Sequence, residues 1–141
     1  MTESPSKKIM EVIPRIMHQI RTEIRQHARA QLTVPQFRIL LHLNRETATH
    51  KEVAEWIGIT PATLTRIIDL LVSRKLVVRK ADAKDQRKIH LTITQKGRKL
   101  SEQFMKSTEE WLQRRISSLS SGEHELLDAG LGVLDRLFPE D

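Results

Sequence analysis

The spacing of apolar residues along the chain predicts a series of short amphipathic helices. In the first of them, apolar side chains recur every three or four positions, which places them on one face of a helix. These residues are Ile9, Ile13, Ile16, Met17, Ile20 and Ile24. Pro14 interrupts this stripe, and a helix tolerates proline only in its first turn. The first helix therefore either begins near Glu11 or is kinked at Pro14, and we predict that it begins near Glu11 and ends near Ala30.

Capping residues mark five further helix starts. The hydroxyl of an N-cap residue accepts a hydrogen bond from a backbone N–H of the first turn, and Gln or Glu three residues later can complete a capping box. The caps are Thr33, Thr49, Thr60, Thr94 and Ser120. Apolar residues surround most of the helix that follows Thr33, which predicts a buried helix over residues 34–44.

Two of these helices are short and lie close together in the sequence. The helix capped by Thr49 ends at Gly58, and the next begins at Thr60 with Pro61 in its first position. Two short helices joined by a tight, glycine-containing turn are typical of a helix-turn-helix.

A β-hairpin is predicted after the second of these helices. Residues 77–78 are apolar, residues 89–93 alternate between apolar and polar, and the polar stretch 81–88 separates the two. This hairpin has a long charged tip and lies where a winged helix-turn-helix carries its wing. The predicted fold is therefore mainly α with a small β-hairpin wing.

The terminal helices carry more apolar surface than one chain of 141 residues can bury beside a small winged domain. We predict a single domain, 1–141, in which residues 33–94 form the winged helix-turn-helix and residues 9–31 and 95–138 form dimerisation helices. The predicted dimer contacts are Ile9, Ile13, Ile16, Leu126, Leu131, Leu134 and Leu137. A two-fold dimer sets two recognition helices about 34 Å apart, which matches an inverted repeat in DNA.

Positive charge is concentrated in one third of the chain. The net charge is +6, yet residues 60–100 alone contain eleven basic and three acidic side chains, whereas residues 101–141 are net acidic. Such a patch is the electrostatic footprint of a surface that faces phosphates. Charge by itself equally fits an ordinary solvated face.

The second helix of the helix-turn-helix has one apolar and one polar face. Its polar side combines small side chains, which allow close approach to a DNA groove, with Arg66, which can bond a guanine edge through two N–H groups. A recognition helix reads bases mainly through its N-terminal residues. The alternative is a structural helix whose polar face only contacts solvent.

The wing tip, residues 82–88, alternates carboxylates with cations. A thin hairpin can enter the minor groove, where the negative potential attracts arginine, and we predict that Asp85 orients the guanidinium of Arg87 there. A flexible charged loop without a preferred partner is the alternative. The full set of predicted DNA contacts is Thr49, Thr60, Ala62, Thr63, Thr65, Arg66, Arg74, Lys84, Asp85, Arg87 and Lys88.

Other chemistry finds little support in the residues. The chain has no cysteine, no serine elbow and no glycine-rich phosphate loop, so we predict neither an enzyme nor a cofactor or metal site. Its six histidines form no metal-binding spacing; His27 and His42 are kept as candidates for an effector pocket, with neutral core histidines as the alternative. Trp56 and Trp111 lie on apolar stripes and are predicted to pack in the core or an interface. No apolar run reaches 18 residues and the N-terminus is polar, so a cytoplasmic protein is expected.

Several motifs together resemble the multiple antibiotic resistance regulator (MarR) family over roughly residues 9–138. They include Val53-Ala54-x-x-Ile57-Gly58, Thr63-x-x-Arg66, Asp85-x-Arg87-Lys88 and Leu91-Thr92-x-Thr94-x-x-Gly97. The resemblance implies a dimer formed by the terminal helices. It also implies binding to a pseudo-palindromic operator, often relieved by a small anionic or phenolic ligand. One position departs from the family: Lys75 stands where glycine is usual, so the helix end there must adopt a left-handed residue at a cost or close differently.

We expect a sequence-specific, double-stranded DNA-binding regulator, acting as a homodimeric repressor. Two alternatives remain open from the sequence. A nonspecific architectural DNA binder of the same fold would have a low specificity ratio. A winged-helix module that binds an acidic protein would lack salt-dependent DNA binding.

Overall fold

Six helices and three strands form within residues 3–28 and 31–140, the part of the chain that this computed structural model describes. In chain order they are α1 (Pro5–Ala28), α2 (Val34–Arg45), β1 (Ala48–Thr49), α3 (His50–Ile57), α4 (Pro61–Ser73), β2 (Val77–Ala81), β3 (Ile89–Ile93), α5 (Gln95–Ile116) and α6 (Ser121–Leu137). The predicted mainly α fold with a hairpin wing is confirmed. The chain divides into two units, Met1–Thr108 and Glu109–Asp141.

The predicted start of the first helix is wrong. Helix α1 begins at Pro5, and Pro14 lies inside it. The backbone N–H of Lys7 donates to Ser4 Oγ at 3.4 Å, so Ser4 and Pro5 form the same cap-and-proline start that Thr60 and Pro61 form at α4. Pro14 removes one intrahelical hydrogen bond, but this loss does not end the helix, because helical residues before and after Pro14 continue it. The predicted end near Ala30 lies outside the described residues.

The other predicted helix starts are confirmed. Complete capping boxes join Thr33 with Gln36, Thr49 with Glu52, and Ser120 with Glu123. Thr60 caps α4, and Thr94 Oγ1 accepts from the N–H of Gly97 at 3.0 Å at the start of α5. Helix α2 runs one residue further than predicted. These starts were predictable because each cap bonds within three residues of itself.

The core of the first unit is built around α2. Phe37, Ile39, Leu40 and Leu43 of this helix are buried, as its continuous apolar circumference predicts. Leu64, Ile68 and Leu71 of α4, Leu76 and Val77 at the start of the wing, and Leu91 of β3 are also almost completely buried. The rings of Phe37 and Phe104 lie 5.8 Å apart and connect α2 with α5. The apolar face of α4 is therefore fixed, which leaves its opposite face free for contacts.

The wing is a three-stranded sheet in the order β1-β3-β2, with all pairs antiparallel. Strand β2 extends to Ala81, beyond the predicted residue 78, because Arg79 pairs with Leu91 and Ala81 with Ile89. Strand β1 was missed by the sequence analysis. Its two residues have no alternation to detect, and only the packing of α3 brings Ala48 opposite Leu91. Strand β3 is consequently paired along both edges.

Helix α4 ends with Lys75 in the left-handed conformation, at φ 60°. The N–H of Leu76 donates to the carbonyl of Leu71 and that of Lys75 to the carbonyl of Val72, both at 2.9 Å, which is the Schellman arrangement. Of the two possibilities that the sequence left open, the chain adopts the left-handed one. Thr94 then fixes the turn, because its N–H donates to Leu76 and its Oγ1 to the carbonyl of Lys75.

The second unit contains the end of α5 and the whole of α6. Helix α6 has no buried residue, and its large apolar side chains are exposed. These include Leu126, Leu127, Leu131, Val133 and Leu137, and Phe138, just after the helix, is exposed as well. The guanidinium of Arg115 lies 4.7 Å from the ring centroid of the half-buried Trp111. Within the described residues, no single helix is long and apolar enough to cross a membrane, and the bent pair α3–α4 meets that test only when both helices are counted together.

Candidate nucleic-acid interface

Helices α3 and α4 meet at a bend of 112°, within the usual range for a helix-turn-helix. Gly58 makes the turn possible, because it adopts a left-handed φ of 77° while its N–H donates to the carbonyl of Ala54 at 2.9 Å. A side chain at this φ is strained. Thr60 follows as the cap of α4. The angle between the two helices is therefore set by local sequence signals on both sides of the turn.

The N-terminal half of α4 presents an exposed polar face. Leu64, Ile68 and Leu71 are completely buried on its other side. The exposed residues include four of the predicted DNA contacts, Ala62, Thr63, Thr65 and Arg66. Within the described part of the chain, the guanidinium of Arg66 makes no hydrogen bond or ion pair. It is available to a ligand that approaches this face.

Hydroxyl groups on this face are already engaged in local hydrogen bonds. Thr60 Oγ1 accepts from the N–H of Thr63 at 3.2 Å and donates to Thr63 Oγ1 at 2.9 Å. Thr65 Oγ1 donates to the carbonyl of Pro61 at 2.9 Å and lies 3.2 Å from Nε2 of His50. A hydroxyl has a single proton to donate, so Thr60 and Thr65 offer a ligand mainly acceptor lone pairs. Thr49, another predicted contact, caps α3.

The predicted contact between Asp85 and the guanidinium of Arg87, expected in the minor groove, stays a prediction. Asp85 Oδ1 accepts from the backbone N–H of Arg87 at 3.0 Å, which is an Asx turn, and no bond to the guanidinium forms among the described residues. The short aspartate side chain reaches a main-chain donor two residues ahead more easily than a mobile guanidinium. Arg87, Lys84 and Lys88 are exposed. The wing tip thus carries three cations on a hydrogen-bonded turn.

A contact between Asp82 and His90 was missed by the sequence analysis. Oδ2 of Asp82 lies 2.6 Å from Nε2 of His90 across the base of the tip. The pKa of Asp82 is lowered from 3.8 to about 2, because the backbone N–H of Lys84 and then the His90 ring bond the carboxylate. The strand register could have revealed this contact. Lys80 pairs with His90, and side chains two residues apart on a strand point to the same side, so Asp82 lies on the same side of the hairpin as His90.

Two further polar contacts tie the wing and α4 to the rest of the first unit. Asp69 of α4, which the sequence placed on the polar face, forms an ion pair with Arg79 of β2. The guanidinium of Arg74 donates to the carbonyl of Gln31. Arg74 therefore stays only a prediction as a DNA contact, since its charged group has a backbone partner.

A basic groove lies between the start of α3 and the wing. It has a volume of about 660 Å³, and its walls include Lys51, Arg87 and Lys88 together with the carboxylates of Glu52 and Glu55. The three cations exceed the two carboxylates by one charge, and the backbone N–H groups of a helix N-terminus also favour anions. The groove and the polar face of α4 form the candidate interface.

Of the two candidate effector residues, the side chain of His27 lies outside the described residues. The ring of His42 stacks on that of Trp56, with centroids 4.3 Å apart, and the guanidinium of Arg38 lies 5.4 Å from the same indole. Trp56 is 47% exposed, so it packs on the surface of α2 and not in the core. The role of His42 in an effector pocket stays a prediction.

Residues 30–88, from α2 to the wing tip, match the profile of the MarR family. Over this segment the chain is similar to the MarR family. The curated relatives that it matches are HTH-type transcriptional regulators, and one of the similar solved structures is bound to an oligodeoxyribonucleotide.

Individual relatives agree with this similarity. The HTH-type transcriptional regulator YpoP of Bacillus subtilis (strain 168) is 26% identical to this chain over 130 residues, or 90% of this chain and 86% of YpoP. A MepR mutant of S. aureus bound to an oligodeoxyribonucleotide has a TM-score of 0.66 at 25% identity and covers 97% of this chain and 100% of that one. Wild-type apo MarR from E. coli, with a TM-score of 0.79 at 20% identity over 99% of this chain and 100% of that one, shares the fold.

Proposed function

We propose that this chain is a MarR-family homodimeric repressor that binds a pseudo-palindromic operator in double-stranded DNA. The observation that carries the proposal is the division of α4. One face is completely buried, and the other presents small residues and the exposed guanidinium of Arg66. Arg66 supplies a direct contact to a base edge, and Arg87 of the wing supplies a contact to the minor groove and the phosphates.

Exposed apolar residues in the terminal helices support the dimer. In α1, Ile13 and Ile16 are 38% and 41% exposed, and in α6 Leu126, Leu131 and Leu137 are more than half exposed. Single apolar residues are common on protein surfaces, but a helix of 17 residues with no buried side chain gains little by forming alone. Burial against a second copy removes this surface from water and places two recognition helices about 34 Å apart.

Binding without catalysis follows from the same site. The candidate interface contains cations, hydroxyls and small side chains, which are the groups that contact phosphates and base edges. The MepR structure with an oligodeoxyribonucleotide supports a DNA partner for this chain. A repressor of chromosomal genes acts in the cytoplasm. Relief by a small anionic or phenolic ligand remains an expectation from the family resemblance.

Selection of bound duplexes from a random pool, followed by a competition titration, tests the proposal. We expect the selected site to be an inverted repeat and to bind about a thousandfold more tightly than random DNA, with affinity that falls steeply as salt rises. Equal affinity for selected and random duplexes would indicate an architectural binder. Binding that does not depend on salt would exclude phosphate contacts by the basic groove.

A further inference from the structure

The tip of the wing is an ordered turn built on two aspartates. Asp82 Oδ1 accepts from the backbone N–H of Lys84 at 2.7 Å and of Asp85 at 3.2 Å. Asp85 Oδ1 accepts in turn from the N–H of Arg87 at 3.0 Å, and the N–H of Asp82 donates to the carbonyl of Lys88 at 2.9 Å. The backbone that carries Arg87 is therefore held by bonds that start at Asp82.

His90 holds the second oxygen of the Asp82 carboxylate. Its Nε2 lies 2.6 Å from Oδ2, and an ionised carboxylate can only accept, so Nε2 carries the proton. His90 belongs to β3, where it pairs with Lys80 of β2 on one side and Thr49 of β1 on the other. The ring is thus held by the middle strand of the sheet. Through its bond to Asp82, it fixes the tip relative to that strand.

The stability of the sheet does not by itself explain a histidine at position 90. Nδ1 of His90 is buried, and among the described residues it has no hydrogen-bond partner. A buried polar atom without a partner disfavours the folded state, whereas a β-branched apolar residue suits a half-buried strand position. The hydrogen bond from its other nitrogen, Nε2, to Asp82 therefore explains the histidine better than sheet stability does.

We infer that His90 is a positioning residue for DNA binding, which fixes through Asp82 the turn that presents Arg87 to the DNA. The inference rests on the proposed function. A tip that is ordered before binding loses less conformational entropy when it meets DNA, and a guanidinium held near its bound position forms its contacts more often. Without the histidine, the Asp82 carboxylate loses its side-chain contact with the sheet, so the bonds that it accepts from the N–H groups of Lys84 and Asp85 open more often.

The decisive variant is His90→Val, which removes the contact and suits a strand. We expect its unfolding midpoint in urea to change little, because the strand preference of valine offsets the lost bond to Asp82, while its affinity for the selected duplex falls by about three- to tenfold. Amide exchange at Lys84 and Asp85 should accelerate. His90→Gln, whose amide can donate to Asp82, should restore most of the affinity. Thr92→Ala, on the same strand, is the matched control and should leave binding unchanged.

A double-mutant cycle with Arg87→Ala identifies the route. If His90 acts by presenting Arg87, adding His90→Val to Arg87→Ala should weaken binding little further. Additive losses, or wild-type affinity for His90→Val, would overturn the inference. If the wild type itself binds no duplex, the proposed function fails and the DNA role of His90 fails with it. In that case, comparing amide hydrogen exchange at Lys84 and Asp85 in the wild type and in His90→Val still shows whether His90 orders the tip.

Discussion

Gly97 of α5 lies against the backbone of Leu76, so close that a Cβ at position 97 would be 2.2 Å from the Leu76 carbonyl oxygen. The same Cβ would be 2.9 Å from Cγ1 of Ile93. Backbone and a buried strand residue cannot both move aside, so glycine is required where the start of α5 meets the two ends of the wing. This contact fixes the wing relative to α4.

Gly97→Ala should lower the free energy of unfolding by about 1–3 kcal/mol, because the added methyl overpacks this contact. Urea denaturation followed by circular dichroism measures the change. Gly132→Ala is the matched control: Gly132 is also inside a helix, with nothing within 4 Å of an added Cβ. The control should gain about 0.5–1 kcal/mol. Equal effects of the two substitutions would show that position 97 tolerates a side chain.

Lys75→Gly should stabilise the protein by about 1 kcal/mol, since glycine adopts the observed φ of 60° without the steric penalty of a Cβ. The measurement is again the urea midpoint. Lys75→Ala keeps the Cβ and removes the charge, so it should show no comparable gain. A similar gain from alanine would assign the effect to the lysine charge and not to the backbone.

Arg66 and Arg87 should contribute to DNA binding in different ways. Arg66→Ala should remove about 1–3 kcal/mol of discrimination at one base pair of each half-site and affect random DNA less. Arg87→Ala should weaken binding to all sequences and reduce the salt slope by about 1 for each wing engaged. Titrations against the selected site, its point variants and random DNA separate the two.

Arg21→Ala, an exposed cation of α1, is the control for charge and should change neither the salt slope nor the sequence preference. If Arg87→Ala left the salt slope and the affinity unchanged on every duplex, the wing would not contact DNA. A uniform loss for Arg66→Ala on all sequences would make it a phosphate contact.

Leu131→Glu should convert the dimer to a monomer, because it places a charge on the exposed apolar face of α6. Sedimentation equilibrium at micromolar concentration measures the mass, and affinity for the inverted repeat should fall with dimer content. Leu70→Glu is the control for the measured mass only, since Leu70 is 55% exposed and Leu131 is 53% exposed, whereas α4 also carries the proposed DNA contacts. A monomeric wild type would refute the proposed dimer directly.

Asp82 should make the wing less stable in acid. Its pKa of about 2 in the folded chain lies below the ordinary value of 3.8, so its ionisation stabilises the fold above that value. This contribution is lost as the pH falls from 3.8 towards 2. The difference in free energy of unfolding between the wild type and Asp82→Asn should shrink over the same interval. The carboxyl carbon of Asp82 should titrate in NMR spectra with a midpoint near 2, and a midpoint near 3.8 would contradict the hydrogen-bonded turn.

The sequence by itself determined the helices from α2 to α6, the position of the hairpin and the two faces of α4. Each of these depends on residues within one or two turns of each other, such as Ser120 and Glu123 in their capping box. The first helix shows the limit of such reasoning. Pro14 was weighed as a break, whereas the start at Ser4 and Pro5 decided where the helix begins.

Only the tertiary structure decided the polar contacts that shape the wing. Asp82 and His90 are eight residues apart, and Ala48 and Leu91 are separated by most of the winged domain. A local pattern cannot specify such pairs, because strand register and the packing of α3 determine which side chains meet. The carboxylate of Asp85, which the sequence predicts to orient a guanidinium in the minor groove, bonds a backbone N–H in the folded tip. Several partners are within reach of a flexible charged group, and the geometry of the folded turn selects among them.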